Sequence, residues 1–242
     1  FAAGSKRRES KRRGPLSREN GSNMKVVSIK SELPREVSWH GQPVTTSFFK
    51  EPLEGRVTLR ALNLDGDRQS DLTVHGGKDK AVYCYPIEHY EFWSRELPDV
   101  ALPMGSFGEN FTTEGLPSED AVYLGDRFAV GTAEVVVTQP RLPCYKLGIR
   151  FGSDNMVKKF HQSGRSGFYL AVLKEGVVGA GDEVTLVSRD PESIPVSAIT
   201  RLYLARTLSE VDMQQVRRLL RVSALPESWK DDFRDKLARL ER

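Results

Sequence analysis

Cysteine is nearly absent from this chain: Cys84 and Cys144 are the only two in 242 residues. Two thiols do not make a disulfide framework, so the core must hold the fold, and a reducing, cytoplasmic setting is expected. Long apolar runs are also missing. None approaches the roughly 18–20 residues that span a bilayer, so no membrane partner is expected. No apolar stretch follows the basic N-terminal residues as a secretory signal requires. The chain has no His/Cys cluster of zinc spacing. It has no Walker loop, no dinucleotide glycine fingerprint and no nucleophile elbow. No internal repeat is present.

What is there describes an ordinary globular protein, with 38% apolar and 29% charged residues. Its length suits one large domain, or one and a half, with a sizeable core. The net charge of +3 is unevenly distributed. Residues 1–23 hold seven Lys/Arg and two Asp/Glu, and the remainder holds 29 cations and 31 anions. A basic segment so poor in large apolar residues is expected to be a disordered tail, a leader of foreign origin rather than an address or a nucleic-acid anchor. Met24, followed at once by KVVSI, reads as the start of the domain.

From 24 to 190 the pattern is mostly strand. Val57, Leu59 and Ala61 alternate with polar residues, and AVYLGDRFAVGTAEVVVTQ breaks at Gly125-Asp126 and Gly131-Thr132, both turn signals. SGFYLAVLKEG and AGDEVTLVS supply two more strands. Many short strands with glycine-rich turns predict a closed barrel or sandwich. Two helices interrupt it. PIEHYEFWSREL opens on Pro86 and repeats Ile87, Tyr90, Trp93 and Leu97 on one face; SDNMVKKFHQSG offers Ser153 as N-cap and Gly164 as stop. Residues 191–242 lose the strand pattern and read as three short helices, with Ser209 and Pro226 as start signals. This segment is expected to dock on the barrel.

The decapeptide QPRLPCYKLG, residues 139–148, carries the most concentrated chemistry. Pro140 and Pro143 make it a stiff, extended exit from the strand EVVVTQ. Residues two apart then share a face, which puts Lys146 beside Cys144, whereas Arg141 needs a turn to reach it. Cations near a thiol favour the thiolate, a nucleophile and a soft metal ligand. A buried structural cysteine is the competing reading. Cys84, between two tyrosines, reads as core.

Three further stretches could hold an anion. His75-Gly76-Gly77-Lys78 offers paired glycines whose N–H groups can approach a phosphate, with Arg68, Lys78 and Lys80 adding charge. GSFGENFTTEGL supplies Asn110, both donor and acceptor. SGRSGFY places Arg165 between glycines. Each alone is also what a plain turn looks like.

Taken in order, GDRQSDLTVHGGKDKAVYCYPIEHYEFW, GSFGENFTTEGL, GDRFAVGTAEVVVTQPRLPCYKLG, SGRSGFYLAVLKEG and GDEVTLV resemble a MOSC domain, named from the C-terminal part of molybdenum-cofactor sulfurases. Among its members the chain is most similar to stand-alone YiiM-like proteins, which carry a three-helix C-terminal extension. The resemblance covers nearly everything after Met24. It implies a mostly β, pyruvate-kinase-barrel-like fold at 24–190 and a three-helix segment at 191–242. It implies binding of the molybdenum cofactor with Cys144 as metal ligand, and reduction of N-hydroxylated compounds such as hydroxylaminopurine bases.

The cofactor's phosphate needs a cationic, glycine-rich cradle, for which Arg68, His75, Gly76, Gly77, Lys78, Arg141, Lys146 and Arg165 are the candidates. Pyridoxal phosphate is an alternative occupant. Asn110 and His75 join Cys144 as expected catalytic residues, Asn110 by orienting substrate or a metal oxo group. With no nicotinamide or flavin fingerprint, a separate flavin-type reductase is the expected electron source. A monomer or homodimer is expected.

Two other functions compete. An activated Cys144 could carry a persulfide as a sulfur carrier in cofactor assembly. The final helices, with Arg217, Arg218 and Arg221, could imitate a nucleic-acid reader. Glu227, Asp231, Asp232 and Asp235 in the same segment repel phosphates, so nucleic acid is not the expected partner.

Overall fold

The structure is a computed structural model that describes residues 24–70 and 76–240. Residues 1–23, and with them the expected basic tail, lie outside the described residues, as does His75.

An eight-stranded sheet forms the body. It uses β1 (Lys25–Ser31), β4 (Glu51–Pro52), β6 (Val82–Pro86), β7 (Phe111–Glu114), β8 (Arg127–Val130), β9 (Ala133–Pro140), β10 (Phe168–Lys174) and β12 (Val184–Ser188). Their order is β12-β8-β9-β10-β6-β7-β1-β4. All pairings are antiparallel except β6 with β7. Two small two-stranded pairs stand apart: the hairpin of β2 (Arg35–Trp39) with β3 (Gln42–Thr46), and β5 (Arg56–Leu59) with β11 (Gly176–Gly179). The central strand β9 is almost wholly buried, which explains why AEVVVTQP reads as a near-continuous apolar run rather than an alternation.

The expected closed barrel is not what forms. The sheet curls so that the start of β1 touches the approach to β12, through Val26 N–H to the Asp182 carbonyl (2.9 Å) and Val184 N–H to the Met24 carbonyl (2.7 Å). Only one bridge, Lys25 with Glu183, joins them. β12 and β4 remain edges. β4 is two residues long and ends on Pro52, which has no N–H to extend a ladder.

Helix α1 (Glu88–Glu96) follows β6, with Pro86 closing the strand rather than opening the helix. The decapeptide holds a surprise: the chain turns into α2 (Tyr145–Phe151) directly after Cys144. The two prolines stop helix only up to Pro143. Helix α3 (Met156–Ser163) starts from Asn155, not Ser153, and stops at Gly164 in the left-handed region (φ 68°). These helices cover one sheet face and enclose an aromatic cluster around Tyr85, Trp93, Phe107 and Phe160.

The C-terminal segment forms α4 (Val196–Leu204), α5 (Glu210–Leu219) and α6 (Glu227–Leu240). Ser209 and Asp212 make a reciprocal capping box at α5. Helices this short are marginal alone. Packing supplies the difference: Leu202, Val216, Leu219 and Phe233 are fully buried and form one cluster with Leu124 from the sheet domain. Each such side chain contributes about 1.5–3 kcal/mol. Arg218 and Arg221 are engaged locally, donating to the Pro191 and Glu192 carbonyls and to the Glu192 carboxylate.

Among the described residues no helix is long and apolar enough to cross a membrane.

Candidate functional site

Strand β9 delivers Arg141 and Cys144 to the rim of a cleft that opens to solvent. Pro140 ends the ladder, and the next N–H, that of Arg141, donates to the Gly167 carbonyl at 3.3 Å. The Arg141 side chain is buried, with its guanidinium 5.5 Å from the Phe48 ring and 5.2 Å from the rings of Tyr83 and Phe160. Its Nη1 has no hydrogen-bond partner among the described residues. Burial opposes the charge, but the acidic groups Tyr83, Tyr169 and Cys144 around it outweigh that and hold the guanidinium above its ordinary value. Arg141 is therefore a fixed, desolvated cation with donor capacity to offer.

Cys144 sits half-buried in extended geometry (φ −117°, ψ 174°) at the entry to α2. The helical register then sorts its followers. Tyr145 is exposed, Lys146 lines the cleft, and Leu147 enters the aromatic cluster. Lys146 reaches the site, but by a helical turn rather than along an extended strand. Its Nζ donates to Ser70 Oγ at 2.7 Å.

Another part of the lining comes from the segment between β3 and β4. Lys50 pairs with Asp67, and their side chains are 8% and 1% exposed. Asp67 also accepts the Glu32 N–H and the Asn110 amide, both at 2.9 Å. Asn110 lines the cleft, yet its amide is already engaged. Nδ2 donates to Asp67 and to the Lys30 carbonyl (3.1 Å), and Oδ1 accepts the Tyr83 N–H (3.1 Å). The structure thus gives Asn110 the work of fixing Asp67, and through it Lys50.

Tyr83 and Tyr169 close the cleft with ring centroids 5.4 Å apart. Burial pushes both hydroxyls above their ordinary range, with Arg141 pulling the other way. Both are neutral at pH 7. Lys80 completes the lining, and burial lowers its ammonium from the ordinary value while Asp79 opposes that.

The cleft therefore brings together Cys144, Asn110, Arg141 and Lys146 from the sequence-derived set. It does not bring in the rest of the described candidates. Arg68 is exposed, and its N–H donates to Glu32. Gly76, Gly77 and Lys78 precede or open a single 3-10 turn (Lys78–Lys80) outside the lining; only Lys80 turns inward. Arg165 lies over the Phe92 ring at 3.9 Å and donates to Ser163.

Sequence reasoning missed Lys50, Tyr83, Ser70 and Tyr169. The signal for the tyrosines is cross-strand register: Tyr169 stands opposite both Tyr83 and Gln139, one residue before the prolines' segment. Nothing local marks Lys50 in SFFKEP.

Among the described residues four cations line the cleft, Lys50, Lys80, Arg141 and Lys146, against one carboxylate, Asp67. Such a charge balance suits an anion. Buried Arg141 Nη1 and Ser47 Oγ, both on lining residues, lack partners among the described residues. Buried polar groups are normally satisfied, so these two are suited to a ligand.

The two thiols differ sharply. Cys84 is 1% exposed, and burial raises its thiol to about 12. Iodoacetamide at pH 8 is expected to label one cysteine in the native protein, mapped by peptide mass to Cys144, and two after unfolding. Labelling of Cys84 in the native state would contradict the packing described.

Residues 71–185 match the MOSC domain family, and residues 194–240 match the YiiM-like 3-alpha helix domain. YflK of Bacillus subtilis is 41% identical over 217 residues, which are 89% of this chain and 95% of that protein. YiiM of Escherichia coli is 38% identical over 78% of this chain and 82% of its own length. The chain belongs to the YiiM-like MOSC-domain family. The crystal structure of YiiM from Geobacillus stearothermophilus superposes with a TM-score of 0.72 at 33% identity, covering 88% of this chain and 99% of that one. A third relative of this MOSC-domain protein, named "Reductase", comes from Gibberella moniliformis. It is 32% identical over 70% of this chain, and the match spans 30% of that longer protein.

Proposed function

We propose that this MOSC-domain protein binds the molybdenum cofactor in the Cys144 cleft and reduces N-hydroxylated compounds, such as hydroxylaminopurine bases. The carrying observation is one half-buried thiol at the rim of a cleft that holds, among the described residues, four cations and two unpartnered buried donors. Among the described residues no group of three His, Cys, Asp or Glu could hold a metal ion. A dithiolene cofactor would bring ligands of its own to a metal held by Cys144. Soft thiolate from Cys144 suits such a centre.

The protein's own contributions follow from the geometry. Arg141 and Lys146, which line the same cleft as the thiol, would hold the cofactor's phosphate, together with Lys50, which Asp67 fixes. Charge-assisted bonds to a phosphate are the strong kind. The Tyr83 and Tyr169 rings, tilted 42° to each other, provide an aromatic wall against which a planar base can lie. When bound, the cofactor supplies the two-electron redox chemistry, and the chain supplies position and charge. Electrons are assigned to a separate flavin-type reductase, because the sequence has no nicotinamide or flavin fingerprint. The Gibberella relative's name supports a reductive role.

The test compares protein from cells that assemble the cofactor with protein from cells that cannot. With a flavin reductase as donor, only the first is expected to consume a hydroxylaminopurine. Equal rates from both would remove molybdenum from the account. A sulfur carrier would instead show one added sulfur on Cys144 by mass spectrometry after exposure to a cysteine desulfurase.

Arg141→Met tests the anion half separately. Methionine keeps the packing volume among the aromatic rings but removes the charge. Inorganic phosphate, titrated calorimetrically, is expected to bind the variant at least about tenfold more weakly than the parent, since a charge-assisted bond contributes about 1.5–3 kcal/mol. Equal affinities would place the anion elsewhere.

A further inference from the structure

The three-helix extension has a position that bears on the thiol. Its lead-in lies along the segment before β8. Leu124 N–H donates to the Ile194 carbonyl (3.1 Å), Val196 N–H to Val122 (2.9 Å) and Ser197 N–H to Glu119 (3.0 Å). The Glu119 carboxylate, 4% exposed, turns the other way. It accepts the Gly167 N–H at 2.6 Å and faces His89 Nε2 at 3.0 Å. The carbonyl of Gly167 in turn accepts the Arg141 N–H. A continuous line of hydrogen bonds thus runs from the extension to the residue that opens the thiol segment.

The second contact is apolar. Leu142, two residues before Cys144, packs against the buried cluster of the helical extension and also lines the cleft. Pro140 and Pro143 in the same segment cannot donate backbone hydrogen bonds. The segment 140–144 therefore relies on side-chain packing and on Arg141 to stay in place.

We infer that the helical extension positions the Cys144 thiol, with Leu142 and Glu119 as the positioning residues. The extension is the back wall of the thiol segment, and loosening its core loosens the thiol. The inference deepens the reading of Cys144 as a ligand, but its test uses cofactor-free protein, so failure of one does not disguise failure of the other.

The test is the rate of Cys144 alkylation by iodoacetamide at one fixed pH, read by intact mass, beside the melting temperature. Leu142→Ala and, from within the extension, Val222→Ala are expected to change the rate at least about fivefold, because local opening becomes easier. Leu142→Met is expected to restore it to within about twofold, since volume-conserving exchanges are tolerated. Ile29→Val, in the sheet core, is expected to lower the melting temperature without moving the rate. Should Leu142→Ala not fold, Val222→Ala and Glu119→Gln carry the test. Melting temperatures that fall while the alkylation rate stays at the parent value would reduce the contact to simple stabilisation and overturn the inference.

Discussion

The Cys144→Ser protein, purified from cells that assemble the molybdenum cofactor, is expected to retain at least about 100-fold less molybdenum than the parent. Removing an outer-shell partner of a bound metal alone costs about 10–100-fold, and here the protein's own ligand is exchanged. Serine offers a hard, protonated oxygen in place of a soft thiolate. The fold should not notice. Cys144 is half-buried, has no capping bond to α2 and touches no core cluster. Its exchange should alter stability by no more than about 0.5 kcal/mol. Elemental analysis and calorimetry on one preparation separate the two effects. Metal loss with an unchanged melting temperature is the expected pattern. Retention of molybdenum by the serine variant would dismiss Cys144 as the ligand.

Gly167→Ala has the opposite profile: little chemistry and a large loss of stability. Gly167 occupies the left-handed region (φ 62°), and an added Cβ would stand 2.5 Å from the Cys84 carbonyl oxygen and 2.8 Å from the rings of Tyr83 and Tyr85. None of these can retreat, since all three residues lie on buried β6. Left-handed geometry costs roughly 1–2 kcal/mol, and overpacking adds about 1–3 kcal/mol. A total on the order of 3 kcal/mol would lower the melting temperature by roughly 10 °C. Gly164→Ala is the control. Its φ of 68° carries the same backbone cost, but nothing lies within 4 Å of its Cβ. Calorimetry should show Gly167→Ala falling well below Gly164→Ala. Equal losses would mean that the close approach of the loop to β6 is not what constrains it.

The contrast between these glycines shows why the loop SGRSGFY is hard to read from sequence. The residues announce flexibility and a cation, and suggest a phosphate cradle. Folded, Gly167 serves packing and relays Glu119 to Arg141, while Arg165 covers Phe92. What was legible depends on local physics. The Ser209 cap, the Gly164 stop and the Gly131-Thr132 turn are decided by a few adjacent residues and appear where the sequence puts them. The strands β9, β10 and β12 follow from apolar run and turn alone.

What was not legible depends on distant partners. Whether the sheet closes is set by how far β1 and β12 pair, which is one bridge. The start of α2 at Tyr145 is set by Leu147 finding the aromatic cluster, against the extended preference of the prolines. Within the cleft, Cys144 and Arg141 were legible because the prolines concentrate them. Lys50 was not, because only Asp67, 17 residues away, gives it an address. Arg68 and Lys78 look equally cationic in sequence, but backbone direction turns them out of the cleft.

The central claim is that the Cys144 cleft holds the molybdenum cofactor. The molybdenum-to-protein ratio of the parent chain, purified from cofactor-competent cells, tests it most directly. The account predicts about one molybdenum per chain, the number a single thiolate can ligate, together with protection of Cys144 from iodoacetamide. Protein that carries no molybdenum, with Cys144 as reactive as in cells lacking the cofactor, would contradict it.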